Sequence, residues 1–182
     1  MFTNLSKRID DKTASLAVIG LGYVGLPLAI ELARVGFQVI GVDVSEHRIT
    51  AINRGESYIA DVKAEDIALL VDKGRLQTTT DYALLRKCDI IFICVPTPFD
   101  AMKAPDLSYI RAAAEGIAQR LRREQLVILQ STTYPGTTEE VVLPILEKSG
   151  LKAGVDFCLG FSPERIDPGN RTWTFRNTPK VV

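Results

Sequence analysis

The sequence predicts an α/β fold, a doubly wound parallel sheet forming a single domain with helices on both faces. Three observations carry this. Short apolar runs alternate with longer segments of helical period. The first run leads directly into a glycine-rich turn that opens a helix. The second run ends in an acidic residue about twenty positions further on.

Five apolar runs read as buried parallel strands: 16–20, 38–43, 89–95, 126–130 and 156–161. Between them, the segment 24–35 repeats Val24, Leu28 and Leu32 every four residues, which predicts one buried helical stripe. The segment 107–121 is rich in alanine and favours helix. The segment 137–148 opens with Thr137-x-x-Glu140, the pattern of a capping box, and Gly150 supplies a stop. At the start of the chain Phe2, Leu5 and Ile9 fall on one helical face. This predicts a short helical extension over 1–14 ahead of a domain over 15–182. After Phe161 periodicity is lost and Pro, Gly and Arg accumulate, as in a functional loop followed by the beginning of a strand.

Composition excludes several classes. The chain has 182 residues, 46% of them hydrophobic and 24% charged, the balance of a soluble globular domain. Its formal net charge is zero, so nothing favours a nucleic-acid partner. The run Arg120, Arg122 and Arg123 reads as a solvated helix end. No apolar stretch is long enough for a membrane span, and the polar start lacks a signal-peptide core. Cys88, Cys94 and Cys158 are odd in number and match no metal-ligand spacing. No metal is expected, and a reducing, cytoplasmic setting is. Cys94 and Cys158 read as core residues, and His47 as a solvated one.

The glycine turn is Gly20-Leu21-Gly22-Tyr23-Val24-Gly25, and it matches G-x-G-x-x-G. A lone match is weak. Here it follows a strand, opens a helix and is answered by Asp43, so it predicts a Rossmann-type dinucleotide site. Gly20 permits the tight turn, Gly22 lets backbone approach a pyrophosphate, and Gly25 lets helix and sheet pack closely. The helix N-terminus offers N–H donors and a positive dipole pole to phosphate. The Asp43 carboxylate suits ribose hydroxyls and would repel a 2′-phosphate, which favours NAD over NADP. Arg48, about one turn into the next helix, either borders the adenine or is solvated.

Ligands of open α/β sheets gather at the carboxyl ends of strands. Three later runs end there in distinctive sequence: Cys94-Val95-Pro96-Thr97-Pro98-Phe99, Gln130-Ser131-Thr132-Thr133-Tyr134-Pro135-Gly136-Thr137, and Phe161-Ser162-Pro163-Glu164-Arg165. Together with IGLGYVGLPLA, GVDVSEHRI and PKVV, these resemble the UDP-glucose/GDP-mannose dehydrogenase family in order and spacing, from about Leu16 onward. STTYPGTTEE and SPERIDPGN are most similar to the branch acting on UDP-N-acetylglucosamine.

The resemblance implies two NAD-dependent oxidations of a sugar C6 alcohol to a carboxylate, linked by a thioester to a cysteine. It implies that Gly20, Leu21, Gly22, Tyr23, Val24, Gly25, Asp43, Arg48, Val95, Pro96, Thr97, Pro98, Ser131, Thr132 and Thr133 line the NAD site. It assigns catalytic roles to Thr132 and Glu164, and contact with the UDP-sugar substrate to Glu164 and Arg165. A hydroxyl and a carboxylate at adjacent strand ends can share one water. The family's glycine-rich segment with its catalytic cysteine does not occur here. The expectation is therefore an NAD-binding part that binds NAD without turning over a nucleotide sugar alone, within a full-length protein that is a homo-oligomer. UDP-glucose and UDP-N-acetylmannosamine remain alternative substrates, and a stand-alone NAD-binding module is the non-enzymatic alternative. A hydroxyacid-type dehydrogenase would leave the STTYPGT and SPER motifs unexplained.

Overall fold

The structure is a computed structural model and describes residues 3–99, 105–164 and 177–179. Its elements in chain order are α1 (Thr3–Asp10), β1 (Ser15–Ile19), α2 (Gly25–Arg34), β2 (Gln38–Val42), α3 (Glu46–Asn53), α4 (Ala64–Asp72) and β3 (Leu76–Thr79). There follow β4 (Ile90–Ile93), α5 (Ser108–Ala118), β5 (Leu126–Leu129), α6 (Leu143–Glu147) and β6 (Cys158–Phe161). A 3₁₀ turn at Tyr82–Lys87 precedes β4, and a π-helical turn at Thr138–Val142 precedes α6.

All six strands are parallel, in the order β3-β2-β1-β4-β5-β6. Ile19 of β1 is level with Val42 on one side and Ile93 on the other. The winding reverses between β1 and β4, and a crevice opens at such a switch point. Alternate residues of each strand face opposite ways. Ala17, Ile19, Ile91, Ile93, Val127 and Leu129 pack with α5 and α6. Leu16, Val18, Val39 and Ile90 pack with α2 and α4. The sheet thus carries one core on each face.

The five expected strands are all present, each ending within two residues of its expected bounds. A sixth, β3, was not among them. It is an edge strand of sequence LQTT in which only Leu76 and Thr78 are buried, so it shows no apolar run. In α2 the buried stripe is broader than the expected Val24, Leu28 and Leu32. Leu26, Leu28, Ala29, Ile30 and Ala33 are buried, and Val24 and Leu32 flank them.

The capping box does not form. Thr137 makes no side-chain cap to the helix; its hydroxyl bonds the Tyr134 carbonyl at 2.9 Å and the Thr133 hydroxyl at 2.7 Å. The competing turn takes the hydroxyl first. Gly150 does end its helix, at φ 85° with its N–H on the Glu147 carbonyl.

Two surface expectations are corrected as well. Arg122 is not simply solvated, since it bonds Asp89 at 2.8 Å, whereas Arg123 stays exposed while pairing with Asp156 at 2.8 Å. Cys158 is half-exposed on the edge strand, whereas Cys88 and Cys94 are buried. His47 is exposed. Helix α1 forms as its spacing predicts, with Leu5 buried and Ile9 against the same core, while Phe2 lies outside the described residues.

Candidate functional site

A cleft of about 610 Å³ runs along the carboxyl edge of the sheet. Its wall takes residues from the ends of β1 (Ile19, Gly20), β2 (Val42, Asp43), β4 (Cys94–Thr97) and β5 (Gln130–Thr132), with Glu164 beyond β6. Five of the six strands therefore deliver side chains or backbone to one crevice, as the switch-point geometry requires.

The glycine turn forms one end. Gly20 sits at φ 88°, where a Cβ would lie 2.7 Å from the Cys94 carbonyl oxygen, so only glycine fits both conformation and space. A Cβ on Gly25 would lie 1.8 Å from the Gly20 carbonyl oxygen, which leaves no room under the turn. Gly22 is different: a Cβ there would meet nothing within 4 Å, and the residue lines the cleft. Its openness keeps backbone accessible to a ligand. Helix α2 then begins without a side-chain cap at Val24. Within the first turn of α2 the Leu26 N–H is taken by the Gly22 carbonyl at 3.1 Å, the Leu28 N–H by the Val24 carbonyl at 3.2 Å, and Pro27 has none, so it is the backbone of Gly22–Val24, at the positive pole of the helix, that lines the cleft. An uncapped helix end behind an open glycine is a cradle for an anionic pyrophosphate.

Asp43 closes the adjoining side. It is 5% exposed, yet its carboxylate accepts from the Leu21 N–H at 2.8 Å, the Ser45 N–H at 2.9 Å and the Arg48 guanidinium at 3.1 Å. An ionised carboxylate offers about four acceptor positions. Three are filled, and one on Oδ1 is left for a ligand hydroxyl. Arg48 is thus not free, though 43% of its side chain is exposed: it lines the cleft, pairs with Asp43 and lies 5.8 Å from the centre of the Tyr58 ring. Burial pushes the phenols of Tyr58 and Tyr82 up, and the Asp43 charge adds to both shifts while arginine opposes them.

The far side is built by loops after β4 and β5 that hold one another. The Ser131 hydroxyl donates to the Val95 carbonyl at 2.7 Å, and the Thr97 hydroxyl donates to the Thr132 carbonyl at 2.7 Å. Thr132 is exposed on the cleft wall. Gln130, 3% exposed, donates its amide to a carboxylate oxygen of Glu164. Thr132 and Glu164 therefore stand on the same cleft, separated in sequence by a whole α/β unit.

Of the expected cofactor residues, Leu21, Gly25, Pro98 and Thr133 do not line the cleft. The Leu21 side chain is core, packed on Gly41, and only its backbone serves the site. Gly25 acts beneath the turn. Pro98 turns outward to accept from the Asp106 N–H, and the Thr133 hydroxyl is taken by Thr137. Arg165 lies outside the described residues. The peptide before Pro135 is trans. Sequence reasoning passed over Ser45, Tyr82, Tyr109, Ala112 and Gln130, which line the cleft. Gln130 could have been found from its place at a strand end. Tyr82 could not, because a 3₁₀ turn beside an unrecognised edge strand carries it. Among the described residues no group of three or more His, Cys, Asp or Glu could hold a metal ion, and no helix is long and apolar enough to cross a membrane.

Fold and cleft define a Rossmann-type dinucleotide-binding domain. Residues 14–182 match the model of the UDP-glucose/GDP-mannose dehydrogenase family, NAD binding domain, and the chain belongs to that family. Its cofactor is NAD. The chain is 42% identical to a UDP-N-acetyl-D-glucosamine 6-dehydrogenase of Pseudomonas aeruginosa over 172 residues, 94% of this chain and 40% of that protein. It is 43% identical to a GDP-mannose 6-dehydrogenase of Pseudomonas putida over 175 residues, 92% of this chain and 40% of that protein. A solved UDP-D-ManNAc dehydrogenase of Pyrococcus horikoshii superposes with a TM-score of 0.81 at 39% identity, covering 85% of this chain and 37% of that one. The chain thus spans about 40% of the length of the curated relatives it matches.

Proposed function

We propose that this chain is the NAD-binding part of a nucleotide-sugar 6-dehydrogenase that oxidises the C6 hydroxymethyl of UDP-N-acetylglucosamine to a carboxylate with two NAD. The observation that carries the reading is the shared cleft. A pyrophosphate cradle and Asp43 occupy one end, and Thr132 and the Gln130-held Glu164 stand at the other. NAD, when bound, supplies the hydride acceptor. The chain's own residues bind and orient: the turn at 20–25 takes the pyrophosphate, the free acceptor position of Asp43 takes a ribose hydroxyl, and the Val95–Thr97 and Ser131–Thr132 backbones wall the site. Glu164 and the Thr132 hydroxyl hold a water or move a proton near the reacting carbon. Arg165 is assigned to contact with the substrate in the same reading. The domain runs over 15–182, with 1–14 as its extension, and the full-length protein is a cytoplasmic homo-oligomer.

The identity to the Pseudomonas aeruginosa UDP-N-acetyl-D-glucosamine enzyme supports that sugar. The 38% identity to a Pyrococcus horikoshii UDP-N-acetyl-D-mannosamine dehydrogenase keeps the epimer as the second reading. Full-length protein assayed with UDP-N-acetylglucosamine, UDP-N-acetylmannosamine and UDP-glucose tests the choice. Two NAD reduced per UDP-N-acetylglucosamine, with slower turnover of the other two, is expected. Preference for another sugar overturns the substrate, and one NAD per sugar overturns the reaction. NAD binding without turnover of any sugar would favour a binding module.

A further inference from the structure

Tyr58 belongs to none of the motifs above and does not line the cleft. It sits in the loop between α3 and α4, yet it reaches the glycine turn. Its hydroxyl donates to the Leu21 carbonyl at 2.6 Å, and the Arg48 guanidinium lies over its ring at 5.8 Å. The two residues it touches are the two that grip Asp43 Oδ2: the Leu21 N–H, one peptide before the carbonyl that Tyr58 holds, at 2.8 Å, and Arg48 Nη1 at 3.1 Å. Tyr58, Leu21, Asp43 and Arg48 therefore form a closed ring of contacts.

The loop that carries Tyr58 is itself fastened. The Ser57 hydroxyl donates to the Ile59 carbonyl at 2.9 Å and accepts from the Ile59 N–H at 3.3 Å. Ile59 and Val62 are buried in the core shared with α2 and α4. A fixed loop thus presents a fixed phenol.

We propose that Tyr58 is a positioning residue for the adenosine end of the NAD site. Its hydroxyl pins the peptide between Leu21 and Gly22, and its ring carries Arg48. The Asp43 carboxylate is thereby held with its one unfilled acceptor position facing the cleft. The peptide it pins leads directly into Gly22, the open point of the turn, so the same hydrogen bond sets the direction of the donors offered to the pyrophosphate. A phenol is already protonated, and hence a donor, at neutral pH, and burial moves this one further in the same direction.

The inference rests on the NAD reading of the cleft, and the test separates the two. NAD and its 2′-deoxyadenosine analogue are titrated calorimetrically into the 182-residue chain and into Tyr58→Phe, which removes one oxygen and no packing. Each chain is first shown to melt cooperatively. Loss of one buried hydrogen bond is expected to weaken NAD about fivefold in Tyr58→Phe. The affinity gap between NAD and the deoxy analogue should narrow as well, because a misaligned Asp43 gains less from the 2′-hydroxyl. The Leu21 amide cross-peak, read without ligand, should move upfield as its bond to Asp43 lengthens. Failure of the unsubstituted chain to bind NAD overturns the cofactor reading. Binding that weakens equally for both dinucleotides, or not at all, with the Leu21 amide unmoved, overturns the role of Tyr58 alone.

Discussion

The peptide N–H of Leu21 donates to the carboxylate of Asp43 across 2.8 Å. This bond joins the glycine turn after β1 to the end of β2, so phosphate cradle and ribose grip are one rigid unit. Leu21 can hold that place because its side chain is core, lying on Gly41, where a Cβ would come within 2.9 Å of it. The hydrophobic core thus sets the backbone that serves the ligand.

Asp43→Ala removes the acceptor left for a ribose hydroxyl and also strands the Leu21 N–H. NAD affinity should fall by about 1–3 kcal/mol, the cost of buried polar groups left unpaired. NADP should lose much less or gain, because repulsion of its 2′-phosphate disappears and Arg48 loses its partner. Paired titrations of the two dinucleotides check this. An unchanged NAD affinity would count against the ribose assignment.

The glycines of the turn should separate into two kinds. Gly25→Ala forces a methyl to within 1.8 Å of the Gly20 carbonyl oxygen, and backbone cannot yield as a side chain can. The expected cost is at least about 3 kcal/mol of stability. Gly22→Ala meets nothing within 4 Å, so its melting should match the unsubstituted chain to within about 0.5 kcal/mol. Its methyl would stand where the pyrophosphate must approach, and NAD affinity should fall roughly tenfold or more. Equal melting of both variants, or full binding by Gly22→Ala, would break the distinction.

What was legible in the sequence was local. The turn at 20–25 declares itself because its glycines fall at a fixed short spacing, although what Gly20 must clear is the distant Cys94 carbonyl, and the strands of the interior declare themselves as apolar runs because both faces are buried. β3 escaped since Gln77 and Thr79 of an edge strand need not be apolar. Contacts between distant residues were not legible. Gln130 meets Glu164, and Arg122 meets Asp89, across more than thirty positions of chain. Neither partner's sequence neighbourhood marks the other. The Thr137 pattern misled for the opposite reason: the local signal was real, but Tyr134 and Thr133 offered its hydroxyl nearer partners.

Asp89 organises the opposite rim of the sheet, where β1 and β4 begin. It is 1% exposed and accepts from Arg8 at 2.6 Å, Arg122 at 2.8 Å and the Ser15 N–H at 2.8 Å. Asp89→Ala breaks a buried charge cluster and should cost about 3–5 kcal/mol in urea unfolding. Arg8→Ala should cost only about 1 kcal/mol, because that guanidinium is 37% exposed and solvent replaces part of the interaction. NAD affinity of the Arg8 variant should not change, since the cleft lies at the other end of every strand. A loss of NAD affinity on removing Arg8 would show that the two rims are coupled.

Cys88 gives the chain an alkaline limit. Its thiol is fully buried, donates to the Leu84 carbonyl at 3.6 Å, and is pushed by burial up to about 11. Nearby Asp89 raises it further, while the Ser15 contact and Arg122 act the other way. In the unfolded chain the thiol ionises near its ordinary value of 9.0, so above that pH the unfolded state sheds a proton that the folded state keeps. The stability this group contributes is complete below pH 9 and is lost as pH climbs from 9 to 11, by about 2–3 kcal/mol. Tyrosines and lysines titrate in the same range, so the informative quantity is the difference between the chain and Cys88→Ala. The substitution removes the thiol and leaves a small cavity whose cost does not depend on pH. Urea midpoints at pH 8 and pH 10.5 should therefore converge for the two proteins as pH rises. A gap that stays constant would mean that water reaches Cys88 in the folded chain, and the seal that Arg8, Asp89 and Arg122 place over the start of β4 would then be open.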